Sequence, residues 1–191
     1  MKVFVDTSAL YALMVAEDIN HQAVQSCFEQ LKFAEAALIS TNYILLECIS
    51  LLQRRHGLEV AKAFLAEATS LLDIVWIEKT QHERAVALWG KSGRRTLSLV
   101  DCASFLVMRE HGLRCAVARD VHFTEAGFEV LPRADRVSER RGVYRSARLH
   151  RKSWYRLALS WKLSESALFS TAPVFSTAPV FPTYSAAAVR P

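Results

Sequence analysis

Along the first 132 residues the apolar positions fall into two alternating patterns, short unbroken runs and longer stretches at helical spacing. Val3-Phe4-Val5 is such a run. It ends at Asp6-Thr7-Ser8, which predicts a buried strand opening into a helix near Ala9, capped by Thr7 or Ser8. A helix over His21 to Phe33 precedes a second buried-strand run, Ala36 to Ser40. Ser40-Thr41-Asn42 then supplies cap chemistry for a helix through Arg55, stopped at Gly57. Leu58 to Leu72 again has helical spacing, and Ile74 to Ile77 reads as a third strand. Thr80 and Glu83 have capping-box spacing for a helix to about Trp89. Beyond a loop with Gly90, Gly93, Arg94 and Arg95, Ser98 and Asp101 form a second capping-box pattern for a helix ending at His111-Gly112. Cys115 to Ala118 and Phe128 to Leu131 complete the set as fourth and fifth strands. Strands alternating with helices imply a parallel sheet covered by helices, with the strand C-termini on one edge, where open α/β sheets hold their ligands.

Beyond Pro132 the pattern changes. Residues 133–162 are Arg-rich with Trp154, Tyr155, Leu157, Leu159, Trp161 and Leu163 interleaved or adjoining, a pattern compatible with a basic amphipathic helix. From Phe169 a six-residue unit, Phe-Ser-Thr-Ala-Pro-Val, is repeated, and four of the five prolines lie in this last part of the chain. Proline at that interval forbids a continuous helix, and so few distinct side chains do not specify a packed core. The division expected is therefore one complete domain over 1–132 and an appendage over 133–191.

Charge sharpens that division. The chain of 191 residues has a net charge of +5, which at face value invites an anionic partner. Residues 1–134, however, hold 14 basic and 16 acidic side chains, net −2, and residues 135–191 hold 10 and 3, net +7. The basic excess belongs wholly to the appendage. Asp6 interrupts any signal-peptide apolar core at the N-terminus, and no window approaches the roughly 18 uncharged apolar residues of a membrane span, so a cytoplasmic protein is expected. Cys27, Cys48, Cys102 and Cys115 are scattered without metal-type spacing, which favours buried reduced thiols over a zinc site or a disulfide frame.

The candidate chemistry lies in acidic residues set in apolar company: Asp6 after the first strand, Glu47 within Ile44 to Leu52, Asp101 within Leu99 to Ala103, and Asp120 after the fourth strand. A buried carboxylate normally protonates, pairs or binds a cation. Asp6 and Asp120 follow strands and share an edge; Asp101 is in the first turn of its helix. Glu47, on a face with Tyr43 and Leu51, is expected to reach inward. Three of them have a simpler reading. Asp6 would serve as a helix cap, Asp101 as the third member of a capping box, and Glu47 as a partner of Arg54 or Arg55. Taken jointly, converging carboxylates without matching cations call for a divalent ion, and hard oxygen donors select Mg²⁺ or Mn²⁺.

Val3 to Leu10 with Asp6, then Glu47, then Leu97 to Phe105 with Asp101, then Ala116 to Phe123 with Asp120 and Ala126 to Leu131, resemble in order and spacing the PIN domain, and within it the VapC-type toxins. The resemblance covers about residues 1 to 132. It implies a three-layer α/β/α fold with a parallel sheet and a metal-dependent ribonuclease, usually homodimeric and paired with a small antitoxin in a type II toxin-antitoxin system. Asp6, Glu47, Asp101 and Asp120 match the family's acidic quartet, and Ser8 and Ser98 match polar positions that support the metal shell. Arg94, Arg95 and Arg119 are candidate RNA-backbone contacts. His122 has the chemistry of a general acid, whereas the family pattern gives its position a structural role.

Two functions follow. One is hydrolysis of RNA phosphodiesters by a metal-activated water. The other is a catalytically idle module whose basic tail binds nucleic acid or an anionic surface. The abrupt onset of the tail also fits a shifted reading frame or terminal rearrangement with no function.

Overall fold

The structure, a computed structural model, describes residues 1–133; the tail read above as a basic and repeat-containing appendage lies outside the described residues. β1 (Lys2–Val5) occupies the middle of the sheet because Val3, Phe4 and Val5 are all fully buried and leave no face for water. It pairs in parallel with β2 (Ala37–Thr41) on one side and β4 (Cys115–Val117) on the other. β3 (Asp73–Val75) adds to β2 and β5 (Glu129–Leu131) to β4, so the all-parallel order is β3-β2-β1-β4-β5. The connecting helices are α1 (Thr7–Met14), α2 (His21–Phe33), α3 (Asn42–His56), α4 (Leu58–Leu71), α5 (Lys79–Ser92), α6 (Leu99–Glu110) and α7 (Val121–Glu125). They flank the sheet as the expected α/β/α layers. All four cysteines are free and buried, as reduced core thiols should be.

Three local expectations are corrected. The cap of α1 is Asp6, not Thr7 or Ser8: Asp6 keeps extended backbone while its side chain accepts from the Ser8 N–H, so the helix starts two residues before Ala9. The capping box of α5 is Glu78 with Gln81 rather than Thr80 with Glu83. Glu78 is the last extended residue after β3, and the helix runs on to Ser92, where Gly93 at φ 59° closes it in the left-handed region. The third correction is an addition. The segment after β4 folds into α7, a single short turn capped by Asp120, too brief for periodicity to reveal.

Strand order decides where a site forms. The chain lays β1, β2 and β3 outward in one direction, then returns through α5 and α6 past β1 to lay β4 and β5 on the other side. Connections leaving β1 and β4 diverge, which opens a crevice at their C-terminal ends. Asp6 directly follows β1, and its N–H still bonds the Val117 carbonyl at 3.0 Å, locking the two strand ends together. Beneath them Phe123 stacks edge-on against Phe105, ring centroids 5.1 Å apart, and meets Phe4 of β1 at 6.1 Å. Phe105 lies one turn beyond Asp101 and Phe123 three residues beyond Asp120. One aromatic cluster therefore anchors the helices that carry two of the candidate carboxylates.

Candidate active site

Three aspartates stand at the N-termini of three helices around the crevice, and each commits one oxygen to its own helix. Asp6 Oδ2 accepts from the Ser8 N–H at 3.0 Å and the Ser8 hydroxyl at 2.5 Å. Asp101 Oδ2 accepts from the Ser98 N–H at 2.8 Å, while Ser98 Oγ accepts from the Asp101 N–H at 3.0 Å, closing the capping box the sequence predicts for α6. Asp120 Oδ1 accepts from the His122 N–H at 2.9 Å. Capping and ligation are therefore not competing roles here. The second oxygen of each carboxylate, Oδ1 of Asp6 and Asp101 and Oδ2 of Asp120, takes no hydrogen bond among the described residues, and three helix N-termini favour negative charge at this spot.

Burial grades the set. Asp6 and Asp101 are buried, Asp120 is half-buried, and Glu47 is exposed, which corrects the expectation that its carboxylate reaches inward. Glu47 nonetheless belongs to the site: from the second turn of α3 its Oε2 accepts from the Thr7 hydroxyl at 2.6 Å, across to the first residue of α1. Thr7 was invisible as a site residue in the sequence, where it read as a cap. Asp101, Asp120 and His122 offer ligand atoms that all lie within 4.8 Å of one another. Asp6 and Glu47 flank that knot and are coupled to it by charge.

Electrostatics defines what the crevice lacks. Burial, with the negative charges of Asp101 and Glu47, pushes the Asp6 carboxyl up to about 6, although its bonds to Ser8 pull the other way. The charges acting on Asp6 are both negative. The Cys48 thiol beneath is also pushed upward, by burial and by Asp6 and Glu47, so it stays protonated. Hard oxygen donors, mutual repulsion and no Lys or Arg ion pair to these carboxylates among the described residues together fit a divalent ion.

The remaining candidates fall around this centre. Ser8 is a bridge, donating to Asp6 and accepting the Arg119 N–H at 2.9 Å, so it ties the first turn of α1 to the loop after β4. Ser98 acts on Asp101 through the cap. Ser98→Ala is expected to cost about 1 kcal/mol of stability, read as a shift of the urea midpoint at unchanged slope. Arg94 is paired with Glu125 rather than standing free for a phosphate. Arg95 and Arg119 are exposed and make no side-chain ion pair among the described residues. His122 is buried, its Nε2 3.1 Å from the Thr96 hydroxyl and its Nδ1 2.6 Å from Asp120 Oδ1.

A parallel α/β sheet whose switch point gathers carboxylates from the N-termini of three helices defines a domain built around an acidic crevice. Residues 3–129 match the family model of the PIN domain. The chain belongs to the PIN-domain family and is a VapC-type toxin ribonuclease. It is 34% identical over 134 residues to the 23S rRNA-specific endonuclease VapC20 of Mycobacterium tuberculosis, in both strain CDC 1551 / Oshkosh and strain H37Rv, covering 68% of this chain and 98% of the relative. The crystal structure of M. tuberculosis VapC20, described as a sarcin-ricin loop cleaving toxin, superposes with a TM-score of 0.58 at 32% identity, covering 66% of this chain and 95% of that one. VapBC2 from Rickettsia felis, bound to a DNA fragment from its promoter, shares the fold at 11% identity and a TM-score of 0.53, covering 68% and 97%. No helix among the described residues is long and apolar enough to cross a membrane.

Proposed function

We propose that this chain is a Mg²⁺- or Mn²⁺-dependent endoribonuclease that cuts a looped segment of ribosomal RNA, with residues 1–132 as the nuclease domain and 133–191 as an appendage. The observation that carries it is the set of three aspartates at helix N-termini, each with one oxygen left over among the described residues, of which Asp6 feels the negative charges of Asp101 and Glu47. Support for the substrate class comes from the relatives, named as 23S rRNA-specific and sarcin-ricin loop cleaving, whose length this chain spans almost entirely.

Asp6, Asp101 and Asp120 would hold the ion, with Glu47 beside them. A divalent ion held there would lower the pKa of a water and polarise the phosphate. Glu47, fixed through Oε2 by Thr7, would orient the attacking water for in-line displacement. The products are a 5′-phosphate and a 3′-hydroxyl. Arg95 and Arg119 contact the RNA backbone at the rim, Arg94 joining them on release from Glu125, and Ser8 and Ser98 hold the aspartates in place. A single-stranded or looped substrate suits an open crevice, which cannot surround a paired phosphate. The protein acts in the cytoplasm as a homodimer, restrained by a small antitoxin.

The test is cleavage of a ribosomal RNA loop by the full chain and by residues 1–133, each stripped with chelator and reloaded. The shorter chain is expected to retain metal-dependent cleavage. Cleavage by neither chain, with salt-dependent RNA binding that vanishes on truncation, would instead make the protein an idle module that binds through its tail.

A further inference from the structure

We propose that His122 is a positioning residue that sets the distance between Asp101 and Asp120 by bridging their two segments. This rests on the metal-site reading above. His122 is buried and sits in the first turn of α7, two residues after Asp120. Its ring spans two pieces of chain that are also joined by the Arg94–Glu125 pair and by Phe105 packed on Phe123. Nδ1 lies 2.6 Å from Asp120 Oδ1, and Nε2 lies 3.1 Å from the hydroxyl of Thr96, in the loop that leads through Ser98 to Asp101.

The neutral ring meets Thr96 in either tautomer: with the proton on Nδ1, beside Asp120, Nε2 accepts from the Thr96 hydroxyl, and with it on Nε2 the ring donates to that hydroxyl. The close Nδ1–Oδ1 contact is not aligned as a hydrogen bond, and Oδ1 instead accepts the His122 backbone N–H at 2.9 Å, which holds Oδ1 on the protein side and leaves Oδ2 for the crevice. At the other end, Thr96 is exposed and has only this ring to fix its side chain among the described hydrogen bonds. The loop 93–98 bears Gly93 at its start, a left-handed hinge closing α5. A tether on Thr96 therefore limits how far the N-terminus of α6, and Asp101 with it, can swing from Asp120.

Partners of this kind around a ligating carboxylate typically change metal affinity about 10–100-fold. The experiment is a Mn²⁺ titration of the full chain, followed by the electron paramagnetic resonance of the free ion, with melting of the metal-free protein as a folding control. Asn at 122 retains a group near Nδ1 and loses Thr96; Gln retains a group near Nε2 and loses Asp120. His122→Asn and His122→Gln are each expected to weaken Mn²⁺ binding about tenfold or more. Thr96→Val, a change at an exposed position, is expected to weaken it by less than His122→Asn does, and to add nothing in the His122→Asn background. Wild-type affinity in correctly folded His122 variants, or an additive effect of Thr96→Val, would overturn the bridge while leaving the ribonuclease reading intact. Nitrogen-14 coupling to Mn²⁺ in pulsed spectra of the wild type would overturn it too, since His122 would then be a ligand. A wild-type chain that binds no Mn²⁺ would defeat both readings.

Discussion

Asp6→Asn combined with Asp101→Asn is expected to reduce divalent-dependent RNA cleavage by about a thousandfold or more, with the fold intact. The substitution is selective because each side chain has two jobs on two oxygens. Asparagine keeps one acceptor oxygen, enough for Asp6 to receive the Ser8 N–H and for Asp101 to receive the Ser98 N–H. It replaces the other oxygen with an NH₂ group that donates and does not ligate. Loss of several kcal/mol of charge stabilisation at the reacting phosphate corresponds to about three decades in rate at 1.36 kcal/mol per decade. Cleavage measured on a labelled RNA loop at saturating Mn²⁺ checks the rate, and circular dichroism checks the helices. Full activity in the double variant would remove Asp6 and Asp101 from the chemistry.

The second large effect is on stability and its pH dependence. Asp6 is raised to about 6 in the folded, metal-free protein from an ordinary 3.8, so the folded state binds the proton more tightly than the unfolded chain. For a raised carboxyl the contribution to stability is fully present below the unfolded value and is lost as pH rises through about 6. The difference of about two pKa units corresponds to about 3 kcal/mol across pH 4 to 7. The metal-free wild type should therefore lose stability between about pH 4 and pH 7 relative to Asp6→Asn, which lacks the titrating group. Using the difference matters because His56, held below its ordinary value by burial and by Arg55, works in the opposite direction in the same window, and it cancels between the two proteins. Adding Mn²⁺ should raise the wild-type urea midpoint most at pH 7.5, where Asp6 is ionised. Parallel pH profiles for the two metal-free proteins would show that Asp6 is not strained by its neighbours.

How much of this could be read from the chain depends on the range of the interaction. β1, β2 and β4 were legible because Val3-Phe4-Val5, Leu38-Ile39 and Cys115-Ala116-Val117 are buried on both faces and so appear as continuous apolar runs. Asp6, Asp101 and Asp120 were legible because each interrupts or ends such a run. Capping residues were less so: Glu78 and Asp6 took the caps in place of Thr80 and of Thr7 or Ser8, since the choice among adjacent capping side chains is made by where the preceding strand ends. Side-chain pairs remote in sequence gave no signal. Thr7 with Glu47, and Thr96 with His122, are 40 and 26 residues apart, and neither has a periodicity that would announce it. The same holds for Arg94, whose pairing with Glu125 depends on how α7 folds.

The strand order has a further consequence for synthesis of the chain. β1 is made first but waits for β4, whose pairing with it joins residues more than a hundred positions apart, a closure that is slow and entropically costly. Asp120 follows that strand, and the His122 ring follows Asp120. A partly made chain thus contains the sheet's first half and one or two of the aspartates, yet no assembled crevice. The crevice is therefore completed only once the chain has been made past β4, because Asp120 is the last of the three aspartates to be delivered.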